Sequence, residues 1–217
     1  MSEIFDEVDE DVRRDQLKKL WDQYSIYIVA GALLIIAAVG GWRGYQYLEA
    51  KKVVEAGAAF DKAVELSEAN KHTEAEAAFT ELAAKAPSGY RMLARLRAAA
   101  ELANRDSQGA AKLYDDISAD RSVGASEQDL ARIRAAGLLL ETSSYPNMLL
   151  RLEAATAPGA TFRHTARELL ALSAWRANDT AAARRWLDLI ANDGETPPSL
   201  RARAEALQAL LPPVAKS

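Results

Sequence analysis

A chain of 217 residues with 49% hydrophobic residues is long enough for one or two domains with a packed core. It has no cysteine, which excludes disulfides, cysteine nucleophiles and cysteine-ligated metals. Residues 1–42 carry four of the 27 basic and eight of the 31 acidic side chains, which leaves 23 of each for residues 43–217; a neutral body of that kind lacks the basic face that nucleic-acid binding needs.

Residues 1–22 form an acidic N-terminal tail. Val8, Val12, Leu17, Leu20, Trp21 and Tyr24 fall near helical spacing with charges on the other faces. This pattern predicts either a helix that meets a partner's basic cytoplasmic loop or a solvated tail. Its acids oppose adhesion to anionic headgroups.

Residues 23–45 read as a transmembrane helix. Between Asp22 and Arg43 the sequence QYSIYIVAGALLIIAAVGGW has no charge. Twenty residues at about 1.5 Å each span roughly 30 Å, the thickness of a bilayer's hydrocarbon core. Trp21 and Tyr24 stand at one end, Trp42 and Tyr45 at the other. Such rings, with an apolar body and a polar tip, settle at headgroup depth and are read as membrane-interface anchors. The apolar run exceeds a signal-peptide core, and no small-residue cleavage site follows it, so the anchor is expected to persist. Four basic residues precede it (Arg13, Arg14, Lys18, Lys19) and three follow (Arg43, Lys51, Lys52). That slight excess favours a cytoplasmic N-terminus. Gly40 and Gly44 form a G-x-x-x-G spacing that is compatible with a homo-oligomer.

Residues 46–211 read as a helical-repeat domain, and 212–217 as a C-terminal tail. The membrane helix can run on to about Ala69, because no proline precedes Pro87. Asn70-Lys71-His72 ends it, and Thr73-x-x-Glu76 predicts a capping box for the next helix. Further breaks stand at Pro87-Ser88-Gly89, Asn104-Arg105-Asp106, Gly124, Ser144 to Pro146, Pro158-Gly159 and Asn178-Asp179-Thr180. Thr196-Pro197 is predicted to cap the last helix, which stops before Pro212-Pro213. No stretch alternates β-branched residues, so the domain is all-α.

The helices repeat. Ala75, Phe79 and Leu82 recur as Ala110, Tyr114 and Ile117, and again as Ala183, Leu187 and Ile190. Each triplet places a small and two large residues on one helix face. The copy near Met148 to Leu152 fits less well. A period near 34 residues made of two helices and a turn resembles tetratricopeptide-type repeats, an α-solenoid.

The first fifty residues add a second likeness. Glu7-Val8-Asp9-Glu10-Asp11 leads into Arg13-Arg14 and Leu17-Lys18-Lys19-Leu20-Trp21, then one anchor, then the repeats. This layout resembles the ancillary subunit family of the bacterial Sec translocon. The resemblance implies an inner-membrane protein with its repeats in the periplasm. There it would contact translocon subunits or a membrane-anchored periplasmic chaperone of secreted proteins.

Catalysis finds no support. His72 and His164 are the only histidines, and neither has a second histidine at i+3 or i+4. No phosphate loop, nucleophile elbow or H-E-x-x-H is present. No catalytic, cofactor or metal residue is assigned, and no cofactor is expected. Partner binding in repeats of this kind usually uses the first helix of each hairpin. Tyr90, Arg91 and Arg95 on one such helix, and Trp175 and Arg176 on another, have the residue types that dominate interface hot spots. The expected function is a non-enzymatic, membrane-anchored protein-interaction subunit associated with the translocon. The alternative is a self-assembling membrane scaffold in envelope assembly or division.

Overall fold

The structure, a computed structural model, describes residues 3–212, with side chains except those of residues 3–17, 19, 20 and 28. The side-chain pattern expected of the acidic tail therefore lies almost wholly outside the described residues. The chain divides into two units, residues 1–54 and 55–217.

The described residues form helices joined by turns, without strands. The helix α1 runs Glu3–Glu68. Between Trp21 and Val54 no described side chain is buried. Ile26, Leu34, Ile35 and Ile36 each expose about two-thirds or more of their surface. A helix apolar on every side and covered by nothing is long enough and apolar enough to cross a membrane.

The second unit contains the end of α1 and eight further helices: α2 His72–Lys85, α3 Ser88–Leu102, α4 Ser107–Ala119, α5 Ala125–Leu139, α6 Tyr145–Leu152, α7 Arg163–Arg176, α8 Thr180–Ala191 and α9 Pro198–Leu210. A 3-10 turn, Glu153–Thr156, follows α6. The two best-formed hairpin turns are alike. Asn70 and Asn178 take left-handed dihedrals, φ 59° and 60°. Asn tolerates that region because its short polar side chain bonds locally. In both turns the next amide reaches back over the helix end, Lys71 N to Leu66 O and Asp179 N to Ala174 O, each 2.9 Å.

All three repeat triplets are buried. Ala75, Phe79, Ala110, Ala183 and Ile190 are at 0% exposure, and the least buried member, Leu82, is at 8%. The core is a succession of clusters. One joins the end of α1 to α2 and α3, the next joins α3, α4 and α5, and the third runs from α5 to the chain's last helix. Such stacking is what a hairpin that cannot bury its own apolar face requires. In the first cluster the rings of Phe60 and Phe79 meet edge to face, 5.3 Å between centroids. Met148 and Leu152 are fully buried too. Their copy matches the pattern poorly because α6 is only eight residues long and passes into the 3-10 turn.

Two cap assignments from the sequence need correction. Thr73-x-x-Glu76 forms no capping box: α2 already begins at His72, its N-cap Lys71 makes no side-chain bond, and Glu76 pairs with Arg105. The left-handed turn at Asn70 delivers the chain into the helix early, so Thr73 is helical and cannot act as the flanking residue. Thr196 is likewise no N-cap. Pro197 holds that position, and the Thr196 hydroxyl donates to Ile190 O at 2.7 Å, closing the end of α8 instead. Two helix starts do use a side-chain cap among the described residues: α4, where Asp106 accepts from Gly109 N at 2.8 Å, and α8, where Asp179 accepts from Ala182 N at 2.9 Å.

Candidate protein-binding surface

The buried triplets lie on the second helices α2, α4 and α8, and the first helices α3, α5 and α7 keep a face for something else. Ala135 and Ala136 of α5 turn inward at 0% exposure. The adjoining face of α5, with Leu130, Arg134 and Leu138, opens into a groove of about 530 Å3. Ala100 and Ala103 of α3 form one wall, and Phe162, Thr165 and Leu169 at and within α7 form the other. Tyr114 reaches the groove from α4. Its hydroxyl donates to Leu96 O at 3.3 Å. Burial pushes the Tyr114 phenol up, and Arg134 and Arg97 act against that.

The residues singled out from the sequence have other engagements. Tyr90 packs its ring on Phe60, 5.9 Å between centroids. A side chain on Gly57 would stand 2.9 Å from the Tyr90 hydroxyl, so the glycine permits this approach. Arg91 donates to Ala86 O at 3.2 Å, covering a carbonyl at the end of α2. Arg95 pairs with Asp120 at 2.6 Å. With Ser122 donating from both hydroxyl and amide, and Arg95 beside it, the Asp120 carboxyl is held down to about 2. Arg176 donates to the carbonyls of Glu141 and Ser143, fastening the turn that follows α5. Trp175 is 37% exposed and lies with Leu140 and Leu172 along a shallow surface groove. The tryptophan in the repeat core is Trp186, at 7% exposure.

Sequence reasoning missed two polar clusters. Asp193, in the turn after α8, accepts from Arg163 at 2.9 Å and from Arg167 at 2.8 Å. It also accepts from the amide of Glu195 at 3.0 Å. Arg163 foremost, then that amide, hold the Asp193 carboxyl well below the usual carboxylate range. His164 stands beside this cluster, and burial together with the Arg163 charge lowers it from its ordinary value. In the second cluster Glu101, 5% exposed, accepts from Ser67 at 2.6 Å and contacts His72 Nδ1 at 2.7 Å. These pairs join residues about one repeat apart, so no local motif signals them. Among the described residues no group of acids and histidines is disposed to hold a metal ion.

The four predicted interface anchors lie in the first unit and are open: Trp21 56%, Tyr24 46%, Trp42 63% and Tyr45 59% exposed. Trp42 and Tyr45 stand close, 6.3 Å between ring centroids.

No curated protein and no solved structure matches the chain. A family model described as a tetratricopeptide repeat-like domain matches residues 18–185, well over half of the sequence. The match takes in the apolar helix and runs through the hairpins to α8. Repeat domains of this type are protein-interaction modules, which accords with three stacked clusters, an open groove on the first helices and buried small-large-large triplets. The chain belongs to the tetratricopeptide repeat-like domain family.

Proposed function

We propose that this protein is a non-enzymatic, single-pass membrane subunit that uses its repeats to bind other proteins. The observation that carries the reading is one chain joining an uncovered apolar helix to a repeat unit with an open groove. In this reading residues 1–22 are a cytoplasmic tail, 23–45 cross the bilayer, and 46–211 lie on the far side. Trp21 and Tyr24 sit at one headgroup layer, Trp42 and Tyr45 at the other. Trp175 is a partner contact, together with the open edges of Tyr90, Arg91, Arg95 and Arg176.

The layout's likeness to the ancillary subunit of the bacterial Sec translocon supports a more specific role. The protein is an inner-membrane component with periplasmic repeats, associated with translocon subunits or a membrane-anchored chaperone of secreted proteins. The Gly40 and Gly44 spacing favours a second reading, a self-assembling scaffold. Affinity purification of the tagged full chain from gently solubilised membranes separates them. Secretion machinery in the eluate supports the first role. Recovery of the chain alone, in oligomers, supports the second.

A further inference from the structure

Many arginines of the repeat unit are already engaged, by carboxylates or, as with Arg91, Arg176, Arg184 and Arg201, by backbone carbonyls. Arg95, Arg105, Arg132, Arg151, Arg163 and Arg203 each pair with a carboxylate. Arg97 on α3 and Arg134 on α5 are exposed, and among the described residues neither has an acidic partner. Tyr114 lines one groove with Arg134, and its hydroxyl donates to the carbonyl of Leu96, the residue before Arg97, at 3.3 Å. Arg134 itself lines the apolar groove between α3, α5 and α7, and Arg97 stands one helical turn before Ala100 on its wall. No carboxylate lines that groove. The site is thus an apolar trough, walled by Leu130, Ile133, Phe162 and Leu169, with the uncompensated guanidinium of Arg134 in its lining and that of Arg97 one helical turn beyond the α3 wall.

We propose that this groove binds a segment of a partner protein in which apolar side chains alternate with aspartate or glutamate. Leu- or Phe-sized side chains fill the trough, and the carboxylates meet Arg97 and Arg134. Chemistry selects this occupant. An arginine presents a planar fork that matches a carboxylate in two parallel bonds. A basic segment would face two like charges at the rim, a repulsion that works against the wrong partner. A purely apolar segment would leave both guanidinium groups facing an uncharged chain. The site lies on the first helices of the hairpins, apart from Trp175, and its floor is shared with the core clusters through Ile133 and Tyr114, whereas Arg97 and Arg134 belong to neither.

The proposal rests on the reading of the repeats as a protein-binding module, and its test separates the two. The full chain in detergent micelles is panned against a phage-displayed library of random linear peptides. The enriched pool is expected to be acidic with interspersed Leu, Ile or Phe. Binding of that pool should fall at least about tenfold in the Arg97→Glu, Arg134→Glu variant and weaken as salt rises. Arg121→Glu, an exposed charge in the turn after α4, should leave it unchanged. If the reversed pair lowers the melting temperature, Arg97→Gln, Arg134→Gln is judged by the same criterion. A basic or uncharged pool, equal binding to the variants, or no enrichment overturns the proposal. Should the double variant still recover protein partners from membranes at full yield, this groove is wrong while the protein-binding reading stands. Should the wild-type chain recover none, that reading itself fails.

Discussion

The indole Nε1 of Trp186 donates a 2.9 Å hydrogen bond to the hydroxyl of Tyr145, joining α8 to the first turn of α6. The bond satisfies the one polar atom of a large buried ring. Trp175, eleven positions earlier in the chain, leaves 37% of its surface open. The two tryptophans are therefore a packed ring and an open one. Trp186→Ala should cost about 3–5 kcal/mol. Trp175→Ala should cost roughly 1 kcal/mol or less, as an exposed substitution. Denaturant unfolding of the full chain in micelles, followed by circular dichroism, measures both.

The repeat pattern makes a second prediction. Phe79 is fully buried, and Leu187, the equivalent residue of the last hairpin, is at 2% exposure. Phe79→Ala and Leu187→Ala should each destabilise by about 3–5 kcal/mol, since each leaves a cavity in a different core cluster. Leu150→Ala, at a position 85% exposed on α6, should change stability by no more than about 0.5 kcal/mol. Chemical unfolding of the three variants gives the order directly.

Acid should loosen the fold through two turns. The folded Asp120 and Asp193 carboxyls sit below the ordinary value of 3.8. A group whose pKa is depressed by folding stabilises above its unfolded value and loses that contribution as pH falls. The Asp120 share is thus complete above about pH 4 and is lost as pH falls toward its folded value of about 2. Asp120→Ala should melt lower than the wild type at pH 7 and lose less on acidification. Melting temperature measured from neutral pH down through the carboxylate range checks this; parallel curves for the two proteins would contradict it.

The apolar helix makes a prediction about solubility. Twenty uncharged residues from 23 to 42 hold a chain in a bilayer far more firmly than surface charge does. Alkaline carbonate should leave the protein in the membrane pellet. Substituting Leu34 and Ile36 by Asp should release part of it, because each charge at mid-membrane costs about 2.5–3.5 kcal/mol on insertion.

Much of the architecture was legible because it rests on short-range chemistry. Asn70 and Asn178 mark turns because left-handed dihedrals suit few other residues, and the Ala-Phe-Leu spacing of 75, 79 and 82 is a single helix face. The misread caps fail for a related reason. Thr73 and Thr196 have the right chemistry, but whether a hydroxyl flanks a helix or lies within it depends on one residue of offset, which the preceding turn decides. Arg95 illustrates what lies further from reach. On its own helix it looks like free surface charge, yet it pairs with Asp120, 25 positions on. The groove was hidden in the opposite sense. No pattern in the sequence sets Leu130 or Leu169 apart, and only the packing of three non-consecutive helices leaves them facing a trough.

The most direct test of a membrane-anchored chain that binds partners through its first helices is site-specific photocrosslinking in intact cells. A photoreactive amino acid is placed at Leu169, in the groove, or at Leu150, on the exposed face of α6. The account predicts discrete adducts from Leu169 with another envelope protein, recovered in the membrane fraction, and none from Leu150. Adducts that contain only a second copy of this chain, or the same products from both positions, would contradict it.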